Sequence, residues 1–138
     1  MGDPAVSTLF SPDRLARAAT ATDAAGLDAL LVTPGADLRY LTGYCALPLE
    51  RLTCLVLPAR GPATLVVPRL EVPRAQDSPA ATLGIEIVGW DETDDPYAVC
   101  ARLVRAAAGG EPAALGLADR MWAVQALHLR AVMPAAEQ

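Results

Sequence analysis

Lysine and asparagine are missing from these 138 residues, histidine occurs once and cysteine three times. Each shortage argues against a class of function. With His128 as the sole imidazole, neither an HExxH helix nor a paired-histidine spacing can form. Cys45, Cys54 and Cys100 contain no Cys-x-x-Cys pair, so the usual sequence patterns of a zinc site are absent. Without lysine, every cationic side chain is an arginine, and these are scattered among a larger number of carboxylates, for a net charge of -5. A nucleic-acid partner would require a basic face set against phosphates, and the sequence offers none. No apolar run approaches the roughly 20 residues that cross a bilayer, so no membrane partner is expected. An odd number of cysteines without a secretory signal points to reduced thiols and a cytoplasmic location. The segment Thr33-Pro34-Gly35-Ala36-Asp37 has one glycine, and its aspartate would repel phosphate, which makes a nucleotide site a poor reading.

What remains is a chain of ordinary globular composition. It is 53% hydrophobic and 20% charged, which places it among folded rather than disordered chains. Its length is near the commonest domain size, so residues 1–138 read as one domain with no internal repeat. Abundant alanine and arginine, with no lysine or asparagine, are the compositional mark of a GC-rich bacterial genome.

The most informative stretch runs from Gly26 to Tyr44. Gly26 is placed to end a helix, Leu27 to Val32 form a run short enough to be a strand buried on both faces, and Pro34-Gly35 turns the chain. The tail from Asp37 to Tyr44 reads as too polar for core and too aromatic for a plain loop. At the carboxyl end of a buried strand, such a tail lies where α/β sheets usually place function.

Along the chain, Ser11-Pro12-Asp13 starts a helix over residues 12–25, with a hydroxyl cap, a proline in the first turn and an early carboxylate. Strands are expected at 29–33, 53–57, 64–67, 85–89 and 114–117. The second and third, joined by the turn from Pro58 to Pro62, form a hairpin, so the sheet cannot be all parallel. Short helices are expected at 36–42 and 69–75, and a loop at 76–83. A longer helix starts at Asp95-Pro96 and stops at Gly109-Gly110, and a last one is capped by Asp119 and runs to about Met133. Alternating strands and helices with one hairpin define the fold class as α/β, a three-layer αβα domain with a mixed sheet of about five strands.

The last helix is apolar nearly all round, through Met121, Trp122, Val124, Leu127, Leu129, Val132 and Met133. Such a helix is either a central core helix or one covered by something beyond these residues: a further strand, a catalytic domain or a second subunit. His128 reads as a hydrogen-bonded core residue rather than a ligand. Asp91-Glu92-Thr93-Asp94-Asp95 lacks the oxygen spacing and glycine of a calcium loop, so helix capping and solvation explain it better. Cys45 has no neighbouring His or Lys to activate it and reads as unreactive.

The Gly26–Tyr44 stretch resembles the amino-terminal domain shared by creatinase, prolidase and aminopeptidase P, and the likeness extends in order through further motifs. These are Glu50-Arg51-Leu52, the strands around Gly61-Pro62, Val67-Pro68-Arg69-Leu70-Glu71, Trp90 and Asp94-Asp95-Pro96, covering about Leu15 to Pro134. The resemblance implies a ribonuclease-H-like layout and a non-catalytic half. Family enzymes hold two divalent metal ions, Mn, Co or Zn, through Asp, His and Glu side chains of a separate C-terminal catalytic domain, so no metal or cofactor is expected in this chain. The parent implied is a metal-dependent Xaa-Pro aminopeptidase or dipeptidase, a hydrolase acting on short proline-containing peptides. Creatinase-like amidinohydrolase and freestanding binding or assembly module stay open as alternatives. Expected partners are its own catalytic domain and further copies, in a dimer or tetramer. By the same resemblance, the 44–51 segment is a substrate-access loop reaching a neighbouring pocket, in which Tyr44 supplies an aromatic wall and Arg51, with Glu50 beside it, a fork for a substrate carboxylate. The competing reading packs Tyr44 on the sheet edge and pairs Arg51 with Glu50 or Glu71.

Overall fold

The computed structural model describes residues 9–138. Helix α1 (Pro12–Ala24) begins where Ser11 Oγ accepts the Asp13 N–H at 3.2 Å. It is followed by β1 (Ala29–Val32), α2 (Ala36–Thr42), β2 (Cys54–Pro58) and β3 (Thr64–Pro68). A 3₁₀ turn (Arg69–Glu71) then leads into α3 (Val72–Gln76), and a second (Pro79–Thr82) precedes β4 (Glu86–Trp90). Helix α4 (Pro96–Ala108), β5 (Leu115–Leu117) and α5 (Ala123–Val132) complete the order. Asp95 caps α4, its Oδ1 accepting the N–H groups of Tyr97 and Ala98 at 2.9 and 3.3 Å.

The five strands make one sheet in the order β4-β3-β2-β1-β5. β2 is antiparallel to both neighbours, while β1 pairs with β5 and β3 with β4 in parallel, so β2 alone runs against the rest. The expected hairpin and mixed sheet are therefore both present. Alternation sends every second residue to one face. Val32, Leu55, Leu57, Leu65 and Val67 pack with Leu15 of α1, Leu38 and Leu41 of α2 and Ala75 of α3. Leu31, Cys54, Val56, Val66 and Leu115 pack on the other side with Cys100 and Val104 of α4 and Leu129 of α5. These two cores make the helix–sheet–helix layering.

Four local readings change. Asp119 does not cap the last helix: Asp119 and Arg120 lie in a turn closed by the Met121 N–H to the Ala118 carbonyl at 3.0 Å, and α5 starts at Ala123 after Trp122. Nor is α5 a central helix. Leu129 is buried with Gln125 on its inner side, whereas Val124 and Leu127 on the outer side are 51% and 65% exposed. His128 lies on the exposed side and stacks on Tyr97 with ring centroids 4.7 Å apart, so it is a surface residue and not a core one. The Asp37–Tyr44 tail is half core. Leu38, Leu41, Thr42 and Tyr44 are buried because α2 turns them to the sheet, and the Thr42 hydroxyl hides its polarity by donating to the Leu38 carbonyl at 2.7 Å. Gly43 ends α2 at φ 73°, and a Cβ there would meet Pro79 at 2.8 Å, so the chain can leave α2 only through glycine.

Among the described residues no helix is long and apolar enough to cross a membrane.

Candidate functional site

Because β2 opposes its neighbours, its amino end lies beside the carboxyl ends of β3 and β4. Three segments meet there: the connection into β2, the turn after β3 and the Trp90-Asp91-Glu92 exit from β4. They enclose a groove of about 480 Å³ that holds Glu50 and Arg51. This is the edge of an open α/β sheet at which ligands usually bind.

The connection into β2 is anchored at both ends. At one end the Tyr44 ring is 1% exposed, and its hydroxyl donates to Glu71 Oε2 at 3.2 Å. At the other, the buried Trp90 Nε1 donates to the Leu52 carbonyl at 2.8 Å. Residues 45–51 between the anchors belong to no helix or strand, and there Leu47 and Leu49 are 70% and 52% exposed. Leu70, from the turn after β3, faces the same groove at 84% exposure. Gly89 lets that turn sit close to β4, since a Cβ there would come within 2.7 Å of Val72 Cγ2.

The rim is charged. Arg51 Nε lies 2.6 Å from Glu92 Oε1, and Arg69 donates through Nε and Nη2 to the two oxygens of Asp91 at 3.2 and 3.3 Å. Arg74 Nη1 lies 3.7 Å from the Glu71 oxygen that accepts the Tyr44 hydroxyl. The hydrogen bonds from Arg69 hold the Asp91 carboxyl below its usual range, and the Arg69 guanidinium is pushed up in return. Burial, then the negative charge of Glu71 and its hydrogen bond, push the Tyr44 phenol up to about 12. It therefore remains a neutral donor to Glu71 across the physiological range.

Of the three residues singled out in the sequence, Glu50 and Arg51 line the groove, and Tyr44 forms its foundation instead of its wall. The ring is enclosed by the core because Thr42 Oγ1 accepts the Tyr44 N–H at 3.0 Å and turns the residue inward. The exposed apolar wall is made by Leu47, Leu49 and Leu70. Arg51 pairs with neither Glu50 nor Glu71 but with Glu92, a partner brought in by the parallel β3–β4 pairing. Leu70-Glu71 and Trp90 carry a signal in the sequence as ordered motifs, whereas the ion pairs of Arg69 and Glu92 do not. The remaining members of the acidic segment are structural: Asp95 caps α4, and Asp94 Oδ2 accepts the Asp91 N–H at 2.8 Å.

No group of three or more His, Cys, Asp or Glu side chains among the described residues could hold a metal ion. Cys45 is exposed, while Cys54 and Cys100 are buried against each other, and the Cys54 contact together with burial pushes the Cys100 thiol well above its usual range. A second cavity, about 380 Å³, lies between α1 and β1; its lining is apolar apart from Thr22, Tyr40 and Asp37.

Fold and groove thus define an α/β domain with a mixed five-stranded sheet and a groove at one end of its central strands. The chain belongs to the Creatinase/Prolidase N-terminal domain family, whose profile matches residues 14–137. It is 49% identical over 116 residues to the probable dipeptidase PepE of Mycobacterium tuberculosis, a match that covers 84% of this chain and 30% of that protein. The crystal structure of dipeptidase PepE from Mycobacterium ulcerans superposes with a TM-score of 0.81 at 45% identity, over 99% of this chain and 34% of that one. The N-terminal domain of Xaa-Pro dipeptidase from Lactobacillus brevis, at 19% identity, shares the fold with a TM-score of 0.79 and matches over 90% of its own chain. The chain spans about a third of the length of the PepE relatives it matches.

Proposed function

We propose that this chain is the non-catalytic N-terminal domain of a cytoplasmic, metal-dependent Xaa-Pro peptidase, of aminopeptidase P or prolidase type. Its groove helps shape access to an active site carried by a separate C-terminal domain. The observation that carries this reading is the 49% identity to a probable dipeptidase across 84% of the chain. The donor set agrees, since a paired-metal hydrolytic centre needs several oxygen or nitrogen ligands converging on each ion and the described residues contain no such cluster. The side chains of the described residues do not fit the metal pair, and no catalytic step is assigned to them.

What the chain can contribute is binding. Residues 45–51 run between two fixed anchors, with Leu47 and Leu49 exposed and Glu50 and Arg51 next to the Leu52 anchor, lining the groove. Facing the pocket of a neighbouring subunit in a homo-oligomer, that segment restricts access to short peptides, and Arg51 supplies a fork for a carboxylate.

The test compares the 138-residue chain with the longer protein that includes the following domain, each supplied with manganese, cobalt or zinc and an Xaa-Pro dipeptide. Hydrolysis by the longer protein alone is expected. Chelator-sensitive turnover by the 138-residue chain would overturn the assignment.

A further inference from the structure

We propose that Glu92 is a built-in competitor for Arg51, displaced when the groove takes an organic carboxylate that carries an apolar group. The inference rests on the functional reading of this groove and adds to it both the ligand chemistry and the residue that sets its affinity.

Of the groove's arginines, two are engaged. Arg69 gives two donors to Asp91, and Arg74 lies against Glu71, which is itself fixed by Tyr44. Arg51 differs. Its contact with Glu92 is made at Nε, 2.6 Å away, and among the described residues its two Nη atoms make no hydrogen bond. A guanidinium binds a carboxylate best through two parallel N–H bonds, so a contact at Nε leaves donors of this groove-lining residue unused. The two side chains are 58% and 70% exposed, and an ion pair so open to water is held weakly enough for a ligand to replace.

The surroundings specify the ligand. Leu47, Leu49, Leu70 and Trp90 give the groove apolar surface next to Arg51, which suits an aliphatic group attached to the carboxylate. The rim carries three arginines and four carboxylates (Glu50, Glu71, Asp91, Glu92), a net charge of 3 − 4 = −1, which opposes an incoming anion. Neutralising Glu92 removes that excess and releases the Nε donor in one change. Glu92 is thus expected to weaken anion binding, not support it.

The test is a titration of the 138-residue chain, a unit with two buried cores of its own whose fold is shared by the Lactobacillus brevis N-terminal domain solved as its own chain. The ¹⁵N and ¹H signals of the Arg51 Nε–H are followed as N-acetyl-leucine is added, with N-acetyl-leucinamide as the uncharged control. The acid is expected to shift the signal and the amide to leave it in place. Glu92→Gln should tighten binding about 5-fold, the upper range for an exposed ion pair. In Arg51→Gln, the acid-specific shifts of the Leu47, Leu49 and Leu70 methyl signals seen in the parent chain should disappear. Equal response to acid and amide, or unchanged or weaker binding in Glu92→Gln, would overturn the proposal. A dipeptide ending in leucine, run in parallel, separates the two sources of such a group. Tighter binding than N-acetyl-leucine assigns the groove to peptides, equal binding assigns it to carboxylic acids in general, and either supports a carboxylate site at Arg51 for which Glu92 competes. No hydrolysis is read, so a longer protein without peptidase activity would remove the functional reading and leave this result standing.

Discussion

The two ends of β2 are built on opposite principles. At its carboxyl end the chain crosses to β3 through a short turn at Ala59–Ala63, with the Ala59 N–H tied to the Asp28 carbonyl at 2.9 Å. At its amino end, residues 45–51 run without ladder partners, expose two leucines and border a groove of about 480 Å³. A hairpin needs only the short turn. The longer connection costs ordering entropy, and it is kept in one place by a buried tyrosine and a buried tryptophan. The difference teaches that the sheet centre is set by burial, and the groove edge by a few specific polar contacts spent on holding an exposed connection still.

This contrast can be broken at four points. The largest loss should come from the sheet centre. Leu55 is fully buried on β2, and Leu55→Ala should cost about 3 kcal/mol, read as a lower denaturation midpoint. Next is the anchor at the groove. Trp90→Phe leaves the Leu52 carbonyl without its donor and should cost roughly 1–3 kcal/mol, with faster proteolytic cleavage within 45–51 than elsewhere in the chain. A loss of stability without faster cleavage there would deny Trp90 its anchoring role.

A smaller effect separates the tyrosine anchor by pH. The Tyr44 phenol is raised from 10.0 to about 12 in the folded chain, so the folded state holds this proton more tightly than the unfolded one. Its contribution is fully present below pH about 10 and is lost as pH rises through about 12. Tyr44→Phe should flatten the stability curve in that window, and an unchanged alkaline slope would contradict the burial and Glu71 contact assigned to it. The smallest effect belongs to the exposed wall: Leu70→Ser should change stability by no more than about 0.5 kcal/mol. A loss as large as that of Leu55→Ala would mean that the groove is core after all.

Much of this fold is legible in the residues themselves, because local chemistry and burial agree. Ser11-Pro12-Asp13 and Asp95-Pro96 start the two longest helices, Gly43 and Gly109 stop α2 and α4 at φ 73° and 75°, and apolar runs bounded by such signals become strands. The last helix misleads for a physical reason. Asp119 looks like a cap, yet the turn at Ala118–Met121 satisfies the chain before α5 begins, and Gln125 points inward while Val124 and Leu127 point out. The candidate site is half legible. Glu50 and Arg51 stand out beside an apolar strand, but the partner of Arg51 depends on which residues follow β4. That depends on the parallel pairing of β3 with β4, a long-range fact no local pattern encodes. Tyr44 stands out too, and aromatic character alone does not tell a wall from a foundation.

The most direct measurement is the kinetics of Arg51→Ala in the longer protein carrying the following domain, with an Xaa-Pro dipeptide as substrate. If this domain supplies binding while chemistry resides elsewhere, KM should rise about 10-fold with kcat unchanged, a loss of roughly 1.4 kcal/mol of uniform binding. Unchanged kinetics, or a fall in kcat at constant KM, would contradict it.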